Sequence, residues 1–369
     1  MTVVAAFNVR GCPLIFGDLL LTAEVDAGER TVAVPALGDV SDFFGNSGWS
    51  IVGMRQKVVL ISDHCAVAWA GAWLGAAVAI ARLREMAAAG PLTTDSVLAY
   101  LRDEPDLQRH PASLVGWLVE GERFGQFWFG TSDVFDGGQL GQVYATGSGC
   151  AAVREFAQAA NAMEWKVTGE APVGAIAAST ALALCGVLLR SEFHSGDAAE
   201  TLRAMFGGGY EVAGYFGGRF RKLGDLTFLI WEAQVQGDNV LLSNPQLIIK
   251  QKYAGDFLLL RSVRVDASVP GALSIVDEQR HVIAPMYATP TRPSEADLLD
   301  FSLESRLLCH CILVRSGTDV AVYTRIQQRS TDSEQTMTFQ DQQGQIVLGF
   351  HADFLREMTQ ALHGFPGPG

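Results

Sequence analysis

The chain has 369 residues and a net charge of −13, with 49% hydrophobic and only 18% charged residues. That length is enough to bury a large core as one big domain or two ordinary ones. The acidic balance excludes a nucleic-acid partner, because phosphate backbones are held by clustered Lys and Arg. A surface this thinly charged predicts a homo-oligomer.

The first residues show no basic stretch followed by an apolar one, so no secretory signal is expected. The two longest uncharged segments, Cys65 to Ala81 and Val173 to Leu189, are shorter than the roughly 20 residues of a membrane span, and no membrane attachment is expected. Six cysteines without a regular framework point to a reducing cytosol.

In chain order, VVAAFNV and PLIFGDLLLTAEV read as a hairpin, and KVVLISD and CAVAWAG as a second. Between them Asp26 to Arg55 is rich in Gly, Ser and Asp and reads as an ordered loop or insertion. An apolar stripe at Trp73, Ala77, Ile80, Leu83 and Ala87 predicts a helix to about Ala88, stopped by Gly90-Pro91. Thr93 or Thr94 caps a second helix. Arg102 to His110 reads as a solvated loop, and SLVGWLVE with FGQFWFG as a third hairpin. Helices follow over Ala151 to Ala162 and Val173 to Glu192, then the strands YEVAGYF and LTFLIWEA.

This order predicts an α+β fold, a four-layer αββα sandwich of two antiparallel sheets, over residues 1–236. Residues 237–363 read as a mostly β accessory domain closed by the helix ADFLREMTQAL, with a disordered tail at 364–369. Cys309-His310-Cys311 lies in a strand, where alternation sends the two thiols to one face and the imidazole to the other. This placement favours burial over metal binding, and no metal or cofactor is expected. His64 sits at a hairpin turn and is expected to be exposed.

Removal of Met1 would leave Thr2 with a hydroxyl and a free α-amine, a nucleophile and a base on one residue. Gly17-Asp18 follows sixteen residues after Thr2, and Thr22 four after Asp18. Lys57 opens KVVLISDHCAVAWAG, which ends on Gly71 before the first long helix, and YATGSG carries Ser148 and Gly149 before another helix. In this order and spacing the chain resembles proteasome β-type subunits and their bacterial relatives, which are N-terminal nucleophile (Ntn) hydrolases.

The resemblance covers residues 2 to 234 and implies a role for each position. Thr2 would be the nucleophile and, through its amine, the base. Lys57 would favour its deprotonation, with Asp18 keeping the lysine charged and oriented. The N–H of Gly71 would face the oxyanion. Thr22 would bind an extended substrate as an added strand, and Ser148 would position the amine. Read from residues alone, Asp18 is equally a turn cap, Lys57 a solvated strand entry, and Arg55 a rival cation.

The implied activity is threonine-dependent hydrolysis of an amide, peptide or protein substrate by a homo-oligomer, a ring being one form, with room for an ATP-driven unfoldase as partner. Where many active relatives carry an Asp and then Ser-Gly-Gly, this chain reads Ala204-Met205-Phe206-Gly207-Gly208-Gly209. That departure keeps a second expectation open, a non-catalytic scaffold or binding subunit that recognises a protein partner. A free-standing amidase acting on a small amide is a third.

Overall fold

The computed structural model describes residues 2–24, 31–162, 171–237, 239–266, 273–287, 292–299, 301–328, 337–342 and 345–363. Met1 and the tail expected to be disordered at 364–369 lie outside them. Strands β1 (Val3–Val9) and β2 (Cys12–Asp18) form the first hairpin, with Val4 opposite Gly17. Next, β3 (Leu20–Ala23) leaves that sheet to pair with β6 (Ser50–Met54), and the short strands β4 (Ala33–Val34) and β5 (Gly38–Asp39) pair between them. Strands β7 (Val58–Ser62) and β8 (Cys65–Gly71) make the second hairpin, whose turn leaves His64 exposed.

Helix α1 (Trp73–Ala89) forms where expected, with Ile80 and Leu83 of the expected stripe buried and Ala77 and Ala87 packed against the same core, but Gly75, Ala76 and Ala79 are buried as well while Trp73 stays 48% exposed. Small residues at these positions let the helix sit close on the sheet, so the large apolar Trp73 did not mark the buried stripe. Helix α2 (Thr94–Asp103) starts from Thr93, whose hydroxyl accepts the Ser96 N–H while the Ser96 hydroxyl accepts the Thr93 N–H. The loop expected over Arg102 to His110 is corrected by α3 (Pro105–Arg109), with Pro at its first position and Glu104 as its cap. Strands β9 (Ala112–Glu120) and β10 (Arg123–Phe129) form the third hairpin. They are followed by β11 (Asp133–Asp136), β12 (Gln142–Gly147), α4 (Cys150–Ala162), α5 (Val173–Ser195) and α6 (Glu200–Arg203).

The remaining strands are β13 (Tyr210–Phe216), β14 (Arg219–Lys222), β15 (Leu226–Gln236), β16 (Asn239–Leu242), β17 (Leu247–Ala254), β18 (Phe257–Asp266) and β19 (Leu273–Ile283). After α7 (Glu295–Leu299) come β20 (Leu307–Ser316), β21 (Asp319–Gln328), β22 (Met337–Gln342), β23 (Gln345–Phe350) and α8 (Ala352–His363).

Sheet one runs β11-β12-β1-β2-β13-β14 and sheet two β10-β9-β8-β7. Alternation along β1 explains why all of VVAAF is buried. Val4 and Ala6 pack against Val58, Ala68 and Val115 of sheet two, while Val3, Ala5 and Phe7 point to a second core containing Ala181, Leu184 and Leu188 of α5. Sheet three has nine strands, ordered β21-β20-β15-β17-β18-β19-β23-β22, with β16 also on β15. It is mixed, because β15 and β20 are parallel.

The αββα sandwich is corrected. Strand accounts for 46% and helix for 29% of the described residues, and the largest sheet is a curled mixed one with smaller antiparallel sheets around it. Helix α5 was expected on an outer face, yet it lies between two sheets. Its Ala177, Ala181, Leu184 and Cys185 share one core with Phe16 and Val212 of sheet one and with Phe228, Ile249, Cys309 and Cys311 of sheet three. The reason is that the apolar surface of this helix extends all round and one sheet can cover only one side of it.

Helix α5 is also longer than the uncharged run within it. At 23 residues it is long and apolar enough to cross a membrane, but 67% of its apolar window is buried inside the chain. The Cys309 and Cys311 side chains face α5, while His310 lies tilted against Trp231 and Phe354 on the other face. Burial holds His310 neutral, its pKa pushed down to about 3.

Candidate active site

The site lies at the end of sheet one where β1 begins and β2 stops. Because Val4 pairs with Gly17, Asp18 comes level with the residues that enter β1, and its carboxylate turns toward Thr2. One oxygen, Oδ1, accepts the Thr2 hydroxyl, the Val3 N–H at 2.9 Å and Lys57 Nζ at 2.7 Å. The other accepts the Gly207 N–H at 2.9 Å. The fully buried carboxylate thus has a donor on each oxygen, and it is not a solvent-facing turn cap.

Lys57 enters from sheet two, one residue before β7, and is 1% exposed. Its Nζ donates to Thr2 Oγ1, to Asp18 Oδ1 and to the Leu20 carbonyl at 2.6 Å. Three acceptors match the three protons of an ammonium, whereas a neutral amine would have only two. Burial pushes the Lys57 pKa below its ordinary value, and Asp18, then Glu211, act against that push. The cation bonded to Asp18 is therefore Lys57, and the described hydrogen bonds of that carboxylate include none from Arg55.

Ser148 and Gly149 close the other side of Thr2. The Thr2 carbonyl accepts the Ser148 hydroxyl at 3.3 Å and the Gly149 N–H at 3.2 Å. Gly147 has φ of +99°, and a Cβ there would lie 2.1 Å from the Thr2 carbonyl oxygen, so only glycine fits. Gly71 ends β8 two residues beyond Trp69, whose N–H donates to the Lys57 carbonyl at 3.2 Å. Its φ is +91°, and a Cβ would lie 2.8 Å from the Pro111 carbonyl oxygen. Thr22 lies on β3 at the register shift opposite β6, two residues after Leu20, whose carbonyl accepts Lys57 Nζ.

Three buried groups escaped the sequence reading. Glu211, in β13 and fully buried, accepts the Lys57 and Val58 N–H groups at 2.5 and 2.7 Å. Glu192 of α5, also fully buried, accepts the Tyr210 hydroxyl, and the Gly208 N–H at 3.4 Å. Burial pushes its pKa up to about 8, against the hydrogen bond from Tyr210. Gly207 donates to Asp18 from the Gly207-Gly208-Gly209 turn. For Glu211 the available signal was an acid inside an otherwise apolar run, YEVAGYF, whereas Glu192 lies in the polar end of α5, among Arg190, Ser191 and His194.

The arrangement has a hydroxyl polarised between an ammonium and a carboxylate, on the residue that becomes N-terminal once Met1 is lost. No protein-family model matches the chain, and no curated protein matches it significantly.

Proposed function

We propose that the chain is a threonine-dependent amide or peptide hydrolase of the N-terminal-nucleophile type, with Thr2 as nucleophile after Met1 is removed. The observation that carries this reading is the buried Thr2 hydroxyl, hydrogen-bonded at once to Lys57 Nζ and to the Asp18 carboxylate. The resemblance to proteasome β-type subunits supports it. Thr2 Oγ attacks the amide carbonyl while its proton passes to the α-amine, directly or through one water. The amine then protonates the leaving nitrogen as the C–N bond breaks, leaving an ester on Thr2. Water, deprotonated by the same amine, cleaves the ester and restores the hydroxyl.

Each neighbour has a task in those steps. The Lys57 charge lowers the cost of an alkoxide, and Asp18 holds the ammonium in place. Gly71 would supply an oxyanion donor, Ser148 would orient the terminus, and Thr22 would offer backbone groups to an extended peptide. No step calls for a metal or cofactor. A homo-oligomer in the cytosol agrees with the low surface charge and with six free thiols.

The second reading is a non-catalytic scaffold or binding subunit, favoured by Ala204 and Gly207 where many active proteasome β-type subunits carry an acid and a serine. Intact mass and labelling by a peptide boronate or β-lactone separate the two. The hydrolase predicts a chain that begins at Thr2, a label on that residue, and loss of turnover by about a thousandfold or more in Thr2→Ala. A Thr2→Ala variant with full turnover, or a purified chain that retains Met1, overturns it.

A further inference from the structure

We propose that Glu211 is a positioning residue for Lys57, and that through it sheet three fixes where the ammonium meets Thr2. This rests on the hydrolase reading for its purpose, though not for its geometry. Two consecutive N–H groups, of Lys57 and Val58, converge on Glu211 Oε1 at 2.5 and 2.7 Å. β7 is the edge of sheet two, so amides there that face away from β8 have no strand to pair with, and an unpaired buried N–H is costly. The acceptor comes instead from sheet one, where Glu211 lies opposite Gly17, the residue before Asp18. One carboxylate therefore ties the backbone that carries Lys57 to the strands that carry Asp18.

The other oxygen, Oε2, is held by Lys222 Nζ of β14 at 2.8 Å and by the Tyr253 hydroxyl of β17 at 3.1 Å. Gln56, next to Lys57 and 1% exposed, completes the frame. Its Nε2 donates to the Asp256 and Ile283 carbonyls at 2.7 and 2.8 Å, its backbone N–H donates to Ala284 at 3.3 Å, and its Oε1 accepts Lys222 Nζ at 2.6 Å. Tyr253, Asp256, Ile283 and Ala284 all lie beyond Gln236, in the part of the chain that the resemblance does not cover. The charged groups facing Lys57 are Asp18 from β2 and Glu211 from β13. Those facing Glu211 are Lys57 and Lys222, with the neutral phenol of Tyr253. Glu211 thus does two things, fixing the lysine backbone and adding negative charge near the ammonium.

The full chain has five lysines, so [13Cε]lysine NMR can follow Lys57 directly, assigned by the signal missing from Lys57→Met. Glu211→Gln keeps the size and removes the charge. It should move the Lys57 titration down by about one pH unit or more and reduce kcat about tenfold with KM little changed. A merely structural role would lower Tm and leave the titration in place, so an unmoved titration in folded Glu211→Gln overturns the proposal.

Tyr253→Phe deletes one donor and no charge and is the milder arm should Glu211→Gln fail to fold. The Lys57 and Val58 amides should then exchange with deuterium about threefold faster or more, and unchanged exchange also overturns the proposal. Neither NMR nor exchange needs turnover. A wild-type chain without activity but with both responses would sink the hydrolase reading alone.

Discussion

Replacing Asp18 by Asn, Lys57 by Met, and then both, tests whether the centre of the site is a buried ion pair. The carboxylate and the ammonium are 2.7 Å apart and 0% and 1% exposed, so solvent screens neither. Asp18→Asn leaves an ammonium facing a neutral amide, and Lys57→Met leaves a carboxylate whose remaining donors are the Thr2 hydroxyl and two backbone N–H groups. Each single change strands one charge in the interior and should cost about 3–5 kcal/mol. The double variant strands none, and it should cost less than the sum of the singles by about 2–3 kcal/mol. Urea unfolding of the four chains at one pH reads the cycle, and none of the three variants should hydrolyse substrate. If the two single costs add within about 0.5 kcal/mol, or if each is below about 1 kcal/mol, the pair is not a buried ion pair and the reasoning fails.

Two further outcomes concern groups around that pair. Glu192 keeps its proton in the folded chain up to about 8 while the unfolded chain loses it near 4.5, so unfolding releases a proton between these values and stability falls as pH rises through that window. The loss amounts to several kcal/mol, on the order of 5 at most. Glu192→Gln keeps an acceptor for Tyr210, and its urea midpoint should lack that decline between pH 4.5 and 8; an unchanged slope counts against a protonated Glu192. Gly147→Ala drives a Cβ onto the Thr2 carbonyl at 2.1 Å and should cost about 2 kcal/mol or more and abolish labelling of Thr2. A variant with wild-type Tm and labelling would contradict that contact.

Much of the local structure was legible because it depends on short-range pattern. Apolar runs joined by short polar turns marked β1, β2, β7 and β8, and a threonine cap at 93 or 94 marked the start of α2. Thr2, Asp18, Lys57 and Ser148 were named through the resemblance to proteasome β-type subunits, and the structure brings these four together. Long-range covering was not legible. Whether α5 faced solvent or a third sheet depended on how Phe228, Ile249 and Cys309, far along the chain, returned to it. β19, with its alternation of exposed and half-buried Ser274, Asp277, Glu278 and Arg280, carried too many charges to read as a strand. Glu211 was hidden for the opposite reason, because one acid between Tyr210 and Val212 carries no period.

A buried lysine alone does not identify a site, and this chain supplies its own comparison. Lys250 of β17 is 3% exposed and also meets a carboxylate, Asp225 at 2.5 Å, and a hydroxyl, Ser305 at 2.6 Å. There Asp225 is 46% exposed, the hydroxyl also bonds Thr227, and the lysine pins the 304–305 segment against the strand beside it. Ser305 lies far inside the chain, where removal of Met1 supplies no α-amine. At Lys57 both charges are fully withdrawn from water, and the hydroxyl belongs to the residue next to Met1, whose removal the proposed mechanism requires. Burying four ionisable side chains (Asp18, Lys57, Glu192 and Glu211) around that hydroxyl costs stability that apolar residues of similar volume would not. What they add is a polarised oxygen held at a fixed point, which is what the proposed amide hydrolysis would use.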